Sequence, residues 1–293
     1  MSIDPAATLF ITGVIGLLIG SFLNVVISRL PVMLEKKWDE ESRFFLGLPS
    51  IEGKKAFNLF YPRSLCSACH KSILSIDNIP IASYMLLRGR CRHCDTAIPV
   101  RYPLVETLTA ILAIACLMNS AVLESGLSYS SLVESTVWLC FCCLLIVLAV
   151  IDLEKQLLPD DLTLLLMWLG ITAAVLKLIE LPLYDSVLGA LLGYSFFWTV
   201  EKSYKLARKT EGLARGDAKF LAALGAWLGW IELPFLVVFA SLTGTIVVGA
   251  MIITNRMDKS QPIPFGPFLA FAGLFIVFIE EKLFAQRLSS LLF

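Results

Sequence analysis

"VWLCFCCLLIVLAVIDLEKQLLPDDLTLLLMWLG" (Val137–Gly170) sets two continuously apolar runs on either side of one short charged turn. The runs do not alternate between apolar and polar residues in ~10-residue segments, as the strands of a membrane β-barrel would. They approach the roughly 20 residues that a helix needs to cross a hydrocarbon core. Backbone in lipid must satisfy its own hydrogen bonds, so helices follow. Working outward, the same reading gives eight candidate spans: 6–28, 103–121, 132–151, 162–180, 183–201, 218–231, 234–254 and 265–286. The sixth is short and Gly-rich, as a tilted or partly re-entrant helix would be. Composition agrees: 57% of residues are hydrophobic, 16% are charged, and mean hydropathy is +0.79. A soluble domain carries about half apolar and a quarter charged residues. The expected fold is an all-α polytopic membrane protein of about eight transmembrane helices, with one polar insertion between helices 1 and 2. The expected divisions are the first helix (1–30), the insertion (31–102) and a membrane core of about seven helices (103–293).

"MSIDPAATLF" carries no Lys or Arg ahead of the first apolar run, and the first base, Arg29, follows it. That pattern lacks the basic leader of a cleaved signal peptide and predicts a retained anchor with an outside N-terminus. Of the 24 Lys and Arg, 21 fall in alternate loops on one side of the eight spans. Lys177, Lys282 and Arg287 alone fall on the other. Positive residues stay cytoplasmic, so both termini are expected outside and the insertion in the cytosol. Asp152, ending the third span, and Asp217, beginning the sixth, then share the cytosolic face.

Within the insertion, Cys66 and Cys69 form one CxxC and Cys91 and Cys94 another. Two such pairs at about this separation read as a four-thiolate zinc ribbon. Four thiolates close the tetrahedral shell, so the Zn²⁺ is structural. A cytosolic location argues against stable disulfides. His70 and His93 adjoin ligand cysteines and are expected to be solvated. Cys116, Cys140, Cys142 and Cys143 lie in apolar runs and are expected to pack as small hydrophobes. The formal net charge is zero, which points to no nucleic-acid partner. The basic excess of the insertion suits lipid headgroups.

Acids at the borders of membrane helices are functional candidates. Asp160 and Asp161 follow Pro159 and read as N-caps of the fourth span. Lys219 reads as a headgroup anchor. Asp152 and Asp217 stand apart because each lies at the edge of an apolar run on one membrane face. Two carboxylates brought close share a proton, so one can act as general base on a water and the other as general acid. Helix capping and a proton relay fit the same two residues.

Further stretches carry a family resemblance over nearly the whole chain. They are "GSFLNVVISRLP" (Gly20–Pro31), "LCSACHKSILSIDNIPIASYMLLRGRCRHC" (Leu65–Cys94), "RYPLVE" (Arg101–Glu106), "IDLEKQLLPDDLTL" (Ile151–Leu164), "EGLARGDAKFLAALGAWLG" (Glu211–Gly229) and "PIPFGPFLAFAG" (Pro262–Gly273). In this order they resemble the bacterial type IV prepilin peptidases, aspartyl proteases of the GxGD type that are also N-methyltransferases. The resemblance implies an inner-membrane enzyme with Asp152 and Asp217 as the catalytic pair. Cys66, Cys69, Cys91 and Cys94 would be its zinc ligands. Prepilins and pseudopilins would be its substrates, cut on the cytosolic side, and S-adenosylmethionine would methylate the new N-terminal residue. The chain departs from the family pattern at Leu213, where Met is usual, and at Ala214, where the first Gly of GxGD is usual. No G-x-G-x-x-G marks a Rossmann-type cofactor site. Asn24, Arg88, Gly89 and Glu106 are the candidates for the methyltransferase half, each also explicable by packing or surface position.

Two other readings compete. In a transporter, Asp152 and Asp217 would relay protons, although no internal repeat is visible. In a zinc-ribbon scaffold, the insertion would bind partners and the spans would be inert.

Overall fold

The computed structural model describes residues 5–49, 57–66, 68–119, 128–208, 215–254 and 263–278. Each of the eight apolar segments is helical over most of its described residues, and among the described residues there is no strand, only two isolated bridges. The chain forms two compact units, 1–128 and 129–293.

The first unit is built on α1 (Pro5–Phe45) and α3 (Arg101–Asn119). Between them lie a 3₁₀ turn (Ser75–Asn78) and the short α2 (Ala82–Leu86). α1 is 41 residues long, roughly 60 Å. It runs past the predicted first span, through Pro31 and along the charged stretch "LEKKWDEESRFF". Pro31 removes the amide that would bond the Ile27 carbonyl. The Leu, Glu and Lys that follow are strong helix formers, and Asp39 pairs with Arg43 one turn on at 3.2 Å. α1 and α3 touch through small residues. A β-carbon on Gly16 would lie 2.6 Å from the Ala110 Cα, and one on Gly20 would lie 2.7 Å from the Glu106 Cα. This is close packing of the kind small residues permit between membrane helices.

The second unit holds α4 (Tyr129–Lys155), α5 (Asp160–Val175), α6 (Leu183–Arg208), α7 (Arg215–Leu228), α8 (Leu233–Ile253) and α9 (Gly266–Phe278). α7 is its core, with ten of its 14 residues buried. It meets α6 backbone to backbone, with Gly189 and Gly193 facing Gly225 and Leu221. Ser186 reinforces that seam by donating to the Ala226 carbonyl at 2.7 Å. It meets α5 through Trp227, whose Nε1–H donates to the Leu166 carbonyl at 2.8 Å and whose ring leaves no room for a side chain at Gly170. Trp227 also packs on Trp138 and Phe141 of α4, at centroid distances of 5.7 and 4.9 Å. α8 buries Leu233, Leu236, Ala240 and Gly244, one stripe at helical spacing. Phe235, Val238, Leu242, Ile246, Val247, Met251 and Ile253 are exposed, the pattern of a helix that faces lipid along much of its surface.

This is a membrane protein. By length and composition, four described helices can cross a membrane: α1, α3, α4 and α8. α7, at 14 residues, is about 21 Å long against a core of about 30 Å, and protein rather than lipid surrounds it.

Candidate functional site

The four cysteines of the insertion converge. Their sulfur atoms all lie within 4.8 Å of one another, and Cys66 and Cys94 are 3.7 Å apart. A tetrahedron with metal–sulfur bonds of about 2.3 Å has an edge of roughly 3.8 Å. Two copies of one loop bring the cysteines there. Leu65 bridges Ser72, and Arg90 bridges Ala97. The Cys66 amide donates to Lys71 and the Cys91 amide to Thr96, while the amides of His70 and Asp95 donate back to the carbonyls of Cys66 and Cys91. His70 and Asp95, equivalent in the two loops, both take positive φ (56°) to close the turn. His70 therefore serves the backbone of the loop.

The donor set suits Zn²⁺ chemically as well. Backbone donors led by the Cys69 amide hold the Cys66 thiol below the ordinary range, and Thr96 brings Cys94 down to about 6. The Lys71 amide lowers Cys69, but burial and the neighbouring thiols outweigh it and push Cys69 up to about 11. Crowded thiols cannot all ionise alone, and a bound dication removes the conflict. An exposed ion pair, Arg92–Asp77 at 2.6 Å, ties the second loop to the 3₁₀ turn and keeps Asp77 charged.

Stripping the metal is expected to unfold this segment, since structural zinc contributes on the order of 10 kcal/mol to such sites. Chelation should open Arg88, Arg90 and Arg92 to trypsin before any membrane helix is cut. Cys91→Ser should copurify without zinc. Full protection from trypsin in the metal-free protein would contradict a structural site.

In the second unit, Asp152 lies in the last turn of α4 and Asp217 in the first turn of α7. They are 5% and 6% exposed, the least exposed acidic residues among the described residues of this unit. The Asp152 Oδ2 accepts the backbone N–H of Gly266, the first residue of α9, at 2.9 Å. A β-carbon at Gly266 would fall 2.6 Å from that oxygen and 3.3 Å from the Leu158 Cδ2. A β-carbon at Gly216, next to Asp217, would fall 3.0 Å from the Leu158 Cβ. Leu158 thus lies against both acid-bearing segments, between the residue that holds Asp152 and the residue that precedes Asp217.

One sequence expectation is corrected. The N-cap of α5 is Pro159, with no side-chain capping bond, and Asp160 begins the helix proper. Asp160 pairs instead with Lys219 at 2.6 Å, so Lys219 ties the start of α7 to the start of α5. Arg215 lies 3.8 Å from Glu201 of α6. The Gly266 amide and Leu158 were not foreseen as parts of the site; the "PFGP" stretch was the available signal. Leu213 and Ala214 lie outside the described residues.

The first unit holds a cavity of ≈380 Å³ bordered by Asn24 and Ser28 of α1, Tyr84, and Tyr102 and Glu106 of α3. Asn24 is 2% exposed. Its Nδ2 donates to the Tyr102 carbonyl at 3.0 Å, and its buried Oδ1 has no partner among the described residues. Glu106 is 7% exposed, and its Oε2 accepts the Ile81 N–H at 2.8 Å. Arg88 and Gly89, at positive φ, close the turn after α2 and do not line this cavity.

Comparisons with known proteins divide the chain at nearly the same place. Residues 14–120 match the bacterial Peptidase A24 N-terminal domain, and residues 139–249 match the type IV leader peptidase family. A prepilin leader peptidase/N-methyltransferase of Aeromonas salmonicida (strain A449) is 43% identical over 278 residues, covering 94% of this chain and 92% of that protein. The protein of the same name from Aeromonas hydrophila is 45% identical over 259 residues, covering 88% and 86%. The one from Pseudomonas putida is 40% identical over 292 residues, covering 99% and 97%. No solved structure matches the chain.

Proposed function

The chain belongs to the type IV leader peptidase family, and on that premise we propose that it removes the leader peptide of prepilins and pseudopilins and methylates the new N-terminal residue. The observation that carries the peptidase reading is that Asp152 and Asp217 are the least exposed acidic residues among the described residues of the second unit. Buried acids without a task are costly. Both fall within residues 139–249, which match the family, and Leu158 packs between Gly266, whose amide binds Asp152, and Gly216, which precedes Asp217.

In this mechanism one carboxylate takes a proton from a water as it attacks the scissile carbonyl. The other donates a proton to that carbonyl or to the departing amine, and no acyl-enzyme forms. The Gly266 N–H fixes the Asp152 carboxylate through one oxygen and leaves the other for the water. α4, α5 and α9 are rigid supports that hold the reacting groups in place. The substrate's apolar helix would lie in the bilayer and its basic leader at the cytosolic surface. That placement rests on the Lys and Arg distribution, with both termini outside a bacterial inner membrane. Cys66, Cys69, Cys91 and Cys94 would hold the structural zinc. S-adenosylmethionine would supply the methyl group when bound.

The purified full-length protein in detergent, given a prepilin and tritiated S-adenosylmethionine, should release the leader and label the mature N-terminus. A proton transporter or a zinc-ribbon scaffold would do neither. An intact prepilin after incubation with folded, zinc-loaded protein would reject the peptidase reading.

A further inference from the structure

We propose that the cavity bordered by Asn24 and Glu106 in the first unit is the binding site for the methyl donor, and that the buried Glu106 carboxylate recognises the positive charge of its sulfonium. This rests on the methyltransferase reading above and gives it a location and a recognising charge.

Four observations converge on the cavity. Its volume, ≈380 Å³, falls within the roughly 300–1,000 Å³ of small-molecule sites. Its wall contains an acceptor already stripped of water and unused, the Asn24 Oδ1. Buried polar atoms are almost always satisfied, so an orphaned one asks for a ligand donor. An adenine amino group or an α-ammonium supplies such a donor. The wall contains two carboxylates, and they differ. Asp77 is neutralised by Arg92, whereas Glu106 is held only by neutral donors, the Ile81 amide and the Ser21 hydroxyl. The bases are spoken for in part: the Arg29 guanidinium donates to the carbonyls of Asn58, Leu59 and Pro62.

A pocket with a buried carboxylate and an open acceptor, flanked by Tyr84 and Tyr102, suits a flat, net-cationic molecule. S-adenosylmethionine has a sulfonium, an ammonium and one carboxylate. Its demethylated product, S-adenosylhomocysteine, has lost the sulfonium charge. A carboxylate that reads this difference binds donor over product and favours product release after transfer. The cavity's wall also includes residues of both metal-binding loops, Cys66 and Cys91 among them, so its shape depends on the same fold that gathers the thiols.

Binding separates this assignment from a structural role. The full-length, zinc-loaded protein in detergent is titrated with S-adenosylmethionine and with S-adenosylhomocysteine by calorimetry, without prepilin. The wild type should bind the donor about tenfold more tightly than the product. Glu106→Gln keeps the shape and an acceptor for the Ile81 amide. It should weaken donor binding about tenfold while leaving product binding nearly unchanged, so the preference disappears. Asn24→Leu should weaken both ligands about equally, again by about tenfold, because the donor group it accepts is common to both. Zinc content and the unfolding temperature report whether each variant is folded. If Glu106→Gln weakens both ligands equally, the charge recognition is wrong. If folded Glu106→Gln and Asn24→Leu bind both ligands as the wild type does, while the wild type still labels a prepilin, the cavity is not the donor site and the methyltransferase reading stands. If the wild type neither binds the donor nor transfers its methyl group, the methyltransferase reading itself fails and takes this one with it.

Discussion

Asp152→Asn and Asp217→Asn should each reduce prepilin cleavage by about three orders of magnitude or more, with the protein still folded. General acid–base groups contribute about 10²–10⁴-fold each, and members of a unit are not additive, so either loss alone approaches the whole effect. Asn matches Asp in size, so neither variant should open a cavity in the packing around α7. At position 152 the amide oxygen of Asn can still accept the Gly266 N–H that the carboxylate accepts now. What Asn cannot do is exchange a proton with a water. The unfolding temperature should therefore change little while leader release stops. Methyl transfer to a prepilin already cut by the wild-type enzyme should continue in both variants. Near-normal cleavage by either folded variant would end the assignment of the pair. The capping reading of these acids predicts that result, whereas the proton-relay reading predicts no cleavage even by the wild type.

The all-helical membrane character was legible because it depends on local composition. A run such as "LLIVLAVI" has few alternatives once lipid is the solvent, and the helices formed where the apolar runs stood. The convergence of the four cysteines was legible for a similar reason: each CxxC packs its chemistry into four residues, and a second copy repeats the loop. Helix limits were less legible. α1 continues through Pro31 into charged sequence, because helix propensity there does not depend on hydrophobicity. The least legible features were the long-range ones. Nothing local marks Asp160 as the partner of Lys219 rather than a cap, since the two are 59 positions apart. Nothing local marks the Gly266 amide as the donor to Asp152, 114 positions away. Asn24 resembles an ordinary polar residue in a membrane helix until the fold shows its oxygen buried and unpartnered.

Gly266→Ala should cost cleavage about 100-fold in kcat while leaving KM within a few-fold, although position 266 carries no reactive group. The added methyl would sit 2.6 Å from the Asp152 Oδ2 and 3.2 Å from its Cγ, closer than such atoms approach. The Asp152 side chain is short and its segment is packed, so two adjustments remain. The carboxylate can rotate away and lose the Gly266 N–H, or the start of α9 can withdraw from Leu158. Either moves the reacting oxygen by about an ångström, and displacements of that size cost on the order of 10²-fold in rate. Substrate contacts made elsewhere along the pilin helix are untouched, so binding is retained. Gly266→Val, with two more carbons in the same space, should be worse still. Gly249 supplies the control, because a β-carbon there meets nothing within 4 Å and Gly249→Ala should cleave as the wild type does. A loss confined to KM would mean that Gly266 shapes the substrate's path and does not hold Asp152. Full activity in Gly266→Ala would mean that Asp152 works from another position than the one the α9 amide fixes.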